Sequence, residues 1–250
     1  PAIMAHDASE RRLQVTTTLQ PVKRRRLWFL EFYRSAVGKK WVMAVTGVIL
    51  IGYIVAHMVG NLKMYLGPED LNAYGESLRE LGGHLAPRTH LLWAMRIGLL
   101  AATYLHLHSA TTLTLLNRRN RPDKYDERHY AAANYASRTM IWGGIIVAAF
   151  VIFHLMDLTW GWGGAEFTRG LPYENLVASF SRLPVALFYI VANLLLGVHL
   201  YHGAWSMFQS LGWNSPRFNQ WRRWFAYTVA AAVTIGNVSF PIAVQAGIVG

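Results

Sequence analysis

The sequence predicts an all-α integral membrane bundle of five transmembrane helices, its N-terminus cytoplasmic and its C-terminus outside. Three observations predict it. Of the 250 residues, 53% are hydrophobic and only 15% charged, whereas a soluble domain carries about a quarter charged residues. The apolar residues run in stretches long enough to cross about 30 Å of hydrocarbon at about 1.5 Å per residue. The basic residues cluster between those stretches.

The formal net charge is +11. A basic nucleic-acid binder would carry such charge on a folded soluble domain, so nucleic acid is not an expected partner. The chain has no cysteine, which excludes disulfides and thiolate metal ligands of its own.

Residues 1–26 read as a basic cytoplasmic tail and 27–250 as one five-helix transmembrane domain without internal repeat. The first twenty residues hold no apolar run, so no cleavable signal peptide is expected. LWFLEFYRSAVGKK mixes aromatics with bases and is expected to lie along the inner interface before the first span. The spans run from Trp41 to Leu62, Leu91 to Leu116, Thr139 to Trp160, Leu183 to Ser210 and Trp224 to Val249. Internal glycines and Pro241 do not argue against them, since both are commoner in membrane helices than in soluble ones. GPEDLNAYGESLRELGGH, after the first span, predicts a short surface helix from about Pro68 to Leu81. WGWGGAEFTRGLPYENL, after the third, reads as an exposed loop with Trp160 and Trp162 in the aromatic belt.

Lys and Arg counts set the orientation. Nine precede Trp41: Arg11, Arg12, Lys23, Arg24, Arg25, Arg26, Arg34, Lys39 and Lys40. Six more fall in the second loop (Arg118, Arg119, Arg121, Lys124, Arg128, Arg138) and three in the fourth (Arg217, Arg222, Arg223). The other side has only Lys63, Arg79, Arg88, Arg169 and Arg182. Eighteen against five places the N-terminus in the cytoplasm.

Six of the ten histidines fall inside spans: His57, His106, His108, His154, His199 and His202. A titratable side chain at that depth marks function by default, although each alone could simply hydrogen-bond a neighbouring helix. Depth selects among them. At about 1.5 Å per residue, His57 and His154 lie roughly 24 and 21 Å above the inner ends of their spans. His106 and His199 lie about 22–24 Å below the outer ends of theirs. The result is an outer pair, His57 with His154, and an inner pair, His106 with His199. Two imidazoles at one level can ligate a haem iron from both faces, giving a six-coordinate centre suited to electron transfer. Gly47, Gly143, Gly144 and Gly197 offer room for the porphyrin, or mark close helix packing. His108 and His202 each lie two or three residues from one of the four and point elsewhere. His202 reads as bonding a partner helix or lining a quinone pocket.

SAVGKKWVMAVTGVILIGYIVAHMVGNLKMYLGPEDLNAYGESL, LHLHSATTLTLLNRRNRPDKY and VHLYHGAWSMFQSLGWNSPR carry a resemblance from about Ser35 to the end of the chain. The chain resembles the cytochrome b membrane-anchor subunit of succinate dehydrogenase and fumarate reductase (respiratory complex II), in its single-polypeptide five-helix form. That family is similar in having four axial haem ligands, in some members on helices one, two, four and five. The matching positions here are His57, His106, His154 and His199, on spans one to four. His106 matches better than His108 because it lies eleven residues before Asn117. The resemblance implies haem b (one or two, bis-His), quinone, a flavoprotein subunit that oxidises succinate and an iron–sulfur subunit on the cytoplasmic face. It implies a multi-pass protein of the bacterial cytoplasmic (inner) membrane, in contact with lipid, serving electron transport and the tricarboxylic acid cycle. In relatives a Ser, and a base four residues later, help hold the quinone. Ser35 and Lys39 have that spacing, which puts them on one helical face, and Arg34 and Trp41 could complete the pocket. Lys39 equally suits an interfacial anchor.

Other readings compete. Two histidines are also half of a Rieske-type [2Fe–2S] site, whose thiolates would have to come from a partner subunit. A cofactor-free structural anchor or another membrane cytochrome b is the functional alternative. A transporter would favour paired carboxylates or repeated broken helices, yet the spans hold only Asp157, near an end.

Overall fold

The computed structural model describes residues 27–119 and 132–250, with side chains throughout except at 132–139. The expected tail 1–26, the bases Arg121, Lys124 and Arg128, and His6 and His129 lie outside the described residues, as does the Arg138 side chain. Every regular element among the described residues is helical.

The long helices are α2 (Ala36–Asn61), α4 (His90–Arg119), α5 (Ala132–Leu155), α7 (Leu183–Ser210) and α8 (Asn219–Gln245). Shorter ones are α1 (Trp28–Arg34), α3 (Pro68–Ser77) and α6 (Pro172–Phe180). Four segments are long and apolar enough to cross a membrane: Ala36–Leu66, Met140–Trp160, Leu183–Ser210 and Pro216–Gln245. The segment expected as the second span is also helical, and the 30 residues of α4 would reach about 45 Å. It is less apolar, however, carrying Arg96, three histidines and a run of threonines near its end. Large apolar side chains point outward all round the long helices, among them Trp142, Leu100 and Ile235 at 60–70% exposure. A soluble monomer does not leave such a surface uncovered.

Local chemistry sets the helix limits. Ser35 caps α2, its Oγ accepting from Gly38 N–H at 2.9 Å and donating to Phe32 O at 2.7 Å. A Cβ at Gly38 would stand 2.6 Å from the Phe32 carbonyl carbon, so only glycine lets α1 fold back onto α2. Pro68 and Pro172 open α3 and α6 at positions where a missing N–H costs nothing. At its C-terminal end α5 widens into a π-helical turn, Met156–Trp160, stopped by Gly161 in the left-handed region.

α7 and α8 pack along their length; α7 also lies against α5 and α2, and α2 against α4. A Cβ at Gly197 on α7 would press on the Thr234 side chain of α8. This glycine therefore serves helix contact and not the room for a cofactor that its position suggested. Asn237 on α8 donates to Asn193 on α7 at 3.0 Å, satisfying polar groups that hydrocarbon would leave bare.

The loop expected to be exposed between the third and fourth spans instead contains α6, which buries Asn175, Leu176, Ser179 and Phe180. α6 packs on α3, where Asn72 accepts from Tyr173 N–H at 3.1 Å and donates to Glu174 at 3.0 Å. These two short helices cover one end of the bundle, and α1 lies at the other. In the last turn of α3, Glu76 joins Arg79 at 2.6 Å and also Arg88. The Arg88 hydrogen bond, and after it that of Arg79, holds the Glu76 carboxyl below the usual carboxylate range.

Candidate histidine sites between the helices

The structure brings His57 on α2 and His154 on α5 together, with ring centroids 5.8 Å apart and planes at 85°. Tyr53, one turn earlier on α2, stacks on His57 at 5.5 Å. Phe150 flanks His154 at 5.9 Å. His57 lies four residues from the end of α2 and His154 next to the end of α5, so this pair sits toward the α3–α6 end.

His106 on α4 faces α2. Its Nδ1 is 3.1 Å from Met43 O and 3.3 Å from Thr46 Oγ1. The carbonyl can only accept, and Thr46 spends its hydrogen on Val42 O at 2.7 Å. Both neighbours therefore require a proton on Nδ1, which leaves Nε2 with its lone pair available. A Cβ at Gly47 would lie 3.6 Å from His106 Cε1, so a larger side chain there would crowd the imidazole.

His199 on α7 meets α5 in the same way, its Cε1 3.6 Å from the Cβ position of Gly144. Its Nδ1 is buried and has no hydrogen-bond partner among the described residues. A buried polar atom in that state is costly unless a group from outside the chain meets it.

His108 does not join either pair. It lies between Tyr33 of α1 and Tyr104 of its own helix, with ring centroids 5.8 and 5.9 Å away. Its Nδ1 is 2.5 Å from the Tyr33 hydroxyl, a bond that ties α1 to α4. His202 packs beside Tyr201 at 5.1 Å.

Among the residues expected to hold quinone, Ser35 stands at the junction of α1 and α2, not within a helical face, and its hydroxyl is engaged in capping. Lys39 follows one turn later and is only 8% exposed, its Nζ 5.1 Å above the Tyr33 ring. Arg34 and Trp41 are exposed, and no side-chain hydrogen bond joins these four among the described residues. The contacts of Tyr33 with His108 and Lys39 were missed by sequence reasoning, since nothing in the pattern shows α1 folding back onto α4.

Also missed was the surrounding of His154. Asp157, in the π turn, pairs with Arg182 at 2.8 Å and accepts from the hydroxyls of Ser179 and, at 3.0 Å, Tyr189. The Tyr189 hydroxyl is also 3.5 Å from His154 Nδ1. A carboxylate inside an otherwise apolar span was the available signal.

No three His, Asp or Glu side chains converge on a metal-sized site among the described residues; His57 and His154 meet as a pair of rings. A cavity of about 580 Å³ at the α7–α8 turn is lined by Phe208, Trp213, Trp221 and Arg222 and contains none of the histidines. Arg222 is there as a staple, bonding Trp213 O at 2.8 Å. Comparison of the chain with protein-family models, curated proteins and solved structures finds no match.

Proposed function

We propose that the chain is the membrane-anchor and electron-transfer subunit of a succinate:quinone oxidoreductase, carrying electrons from a docked iron–sulfur subunit to membrane quinone. One observation carries this reading: the 5.8 Å separation of His57 and His154. Two imidazoles bonded to opposite faces of one metal at about 2 Å per bond place their centroids roughly 6 Å apart. The separation of the pair is compatible with that requirement, while His57 Nε2 also lies 3.3 Å from Asn61 Nδ2. His106, with Nε2 available, and His199, with an unpartnered buried nitrogen, support a second such site.

His57 with His154, and His106 with His199, would hold haem b. When bound, that group would supply one-electron transfer. The chain's own residues orient the imidazoles. Met43 O and Thr46 fix the proton of His106, while Gly47 and Gly144 leave the ring edges unobstructed. Toward the α1 end, Ser35, Lys39, Arg34 and Trp41 would receive the quinone. A buried Lys39 without an acidic partner among the described residues supports a polar headgroup there. In this reading α4 is the second of five spans and the α1 end is cytoplasmic, which the eighteen-to-five distribution of bases supports.

The test is a visible absorption spectrum and metal analysis of the complex purified from membranes with its partners. The reading expects a haem b signal reduced by succinate and reoxidised by quinone. Iron with acid-labile sulfide and no haem would replace haem by a shared [2Fe–2S] cluster, and no redox metal would overturn the electron-transfer role.

A further inference from the structure

Asp157 is a fully buried carboxylate with three donors: Arg182 Nη2 at 2.8 Å on one oxygen, and the Ser179 and Tyr189 hydroxyls on the other. An ionised carboxylate can only accept. Tyr189 has a single hydroxyl hydrogen, and that hydrogen is given to Asp157. Its oxygen is then left as an acceptor toward His154 Nδ1, at 3.5 Å. An acceptor on that side calls for a proton on Nδ1 and presents the Nε2 lone pair to whatever lies between His154 and His57. The ring that carries this hydroxyl is wedged in place, with Phe180 at 4.8 Å and Phe150 at 5.2 Å.

From this geometry we infer that Asp157, acting through Tyr189, is a positioning residue that sets the tautomer and ring orientation of His154 for metal ligation. The inference rests on the proposed ligand role of His154. His106 reaches the same state by a separate route, a backbone carbonyl in place of the tyrosine, so both histidines offer the same nitrogen. Outer groups that hold a ligating imidazole in this way tune its basicity and its grip on the metal. The π turn is what makes the arrangement possible, since such turns widen a helix locally and recur at functional sites. Arg182 is steadied in turn by Gly163 O at 2.6 Å.

The competing view is that the cluster merely staples α5, α6 and α7. Two substitutions in the full chain, assembled with its partners in membranes, separate the views. Tyr189→Phe keeps the ring and its packing, leaves Asp157 paired with Arg182, and removes only the relay. Asp157→Asn offers an N–H to Tyr189, which turns the hydroxyl toward His154 and reverses the favoured tautomer. Ring-nitrogen NMR of histidine-labelled protein reads the tautomer directly, with His154 assigned by its loss in His154→Gln. The inference expects both variants to change the His154 tautomer signal. It expects Asp157→Asn to weaken cofactor retention at the His57–His154 level about 10–100-fold, with the His106–His199 centre unchanged. Variants that only melt earlier, with the parental His154 signal and outer-centre potential, would overturn it. A parent without any outer centre would sink the haem reading, and the tautomer signal of Tyr189→Phe would still decide the relay. If Asp157→Asn fails to assemble, Tyr189→Phe decides alone.

Discussion

Replacing Asp157 by Ala removes the acceptor of three donors in one step. The aspartate side chain is 0% exposed, while Arg182 is 30% exposed. Breaking a fully buried ion pair costs about 3–5 kcal/mol, but Arg182 can turn partly to water and keeps Gly163 O at 2.6 Å. Its share therefore falls toward the roughly 0–1 kcal/mol of an exposed pair. The hydroxyls of Ser179 and Tyr189 have no such escape and would be stranded, at about 1–3 kcal/mol each in a soluble core. Polar contacts in membrane bundles average nearer 0.6 kcal/mol, so about 3 kcal/mol in total is the working figure. In a chain of this size each kcal/mol moves the melting point by about 2–4 °C, giving a loss of about 6–12 °C. Thermal unfolding of the complex in detergent measures it. The Asp157→Ala/Arg182→Ala pair should lose less than the sum of the single losses, because the arginine no longer needs its partner. A drop below about 2–4 °C for Asp157→Ala, or strict additivity in the double variant, would refute the reasoning.

Two glycines separate contact from clearance. Gly197→Ala places a Cβ 3.3 Å from Thr234 Cβ and should cost about 1–3 kcal/mol by prising α7 from α8. Gly143→Ala meets nothing within 4 Å and should be near neutral; equal losses in pulse proteolysis would contradict the packing. Glu76 has a depressed folded pKa, so its tether to Arg88 is complete above the unfolded value and is lost as pH falls through the folded one. Amide protection in the α3–α4 loop, corrected for intrinsic exchange, should then be constant near neutrality and fall as pH drops through the depressed Glu76 value, with Glu76→Gln removing that dependence. Reporter fusions after Asn120 and Arg217 should report cytoplasm, and those after Gly75 and Arg169 the outside. A cytoplasmic signal at Gly75 would overturn the five-span topology.

The long helices were legible because apolar length is a one-dimensional property. The fourth predicted span matches α7 from Leu183 to Ser210, where Arg182 and the Leu-Gly pair bound the run. α8 begins five residues before the expected Trp224, because hydropathy does not register a polar first turn, NQWRR, that is nevertheless helical. α6 escaped because its nine residues are too short for periodicity to stand out, and its buried face is defined only by α3, α7 and the π turn. The pairing of His57 with His154 was readable from rise per residue alone, since depth in two helices that run in the same direction is arithmetic. The partners of those histidines were not. Tyr189 meets His154 across 35 positions of sequence, and Asp157 reaches Tyr189 only because α5 widens after Leu155. Ser35 was read as part of a helical face, but its short hydroxyl serves better as the cap that starts α2.

The most direct test of the central claim is a redox titration of the visible spectrum in four single variants, His57→Ala, His106→Ala, His154→Ala and His199→Ala, each assembled with its partners. The account predicts losses in pairs: His57→Ala and His154→Ala lose one centre, and His106→Ala and His199→Ala lose the other. Within each pair the surviving centre keeps its parental potential. Four spectra identical to the parent, or four unrelated changes that track only with assembly, would contradict it.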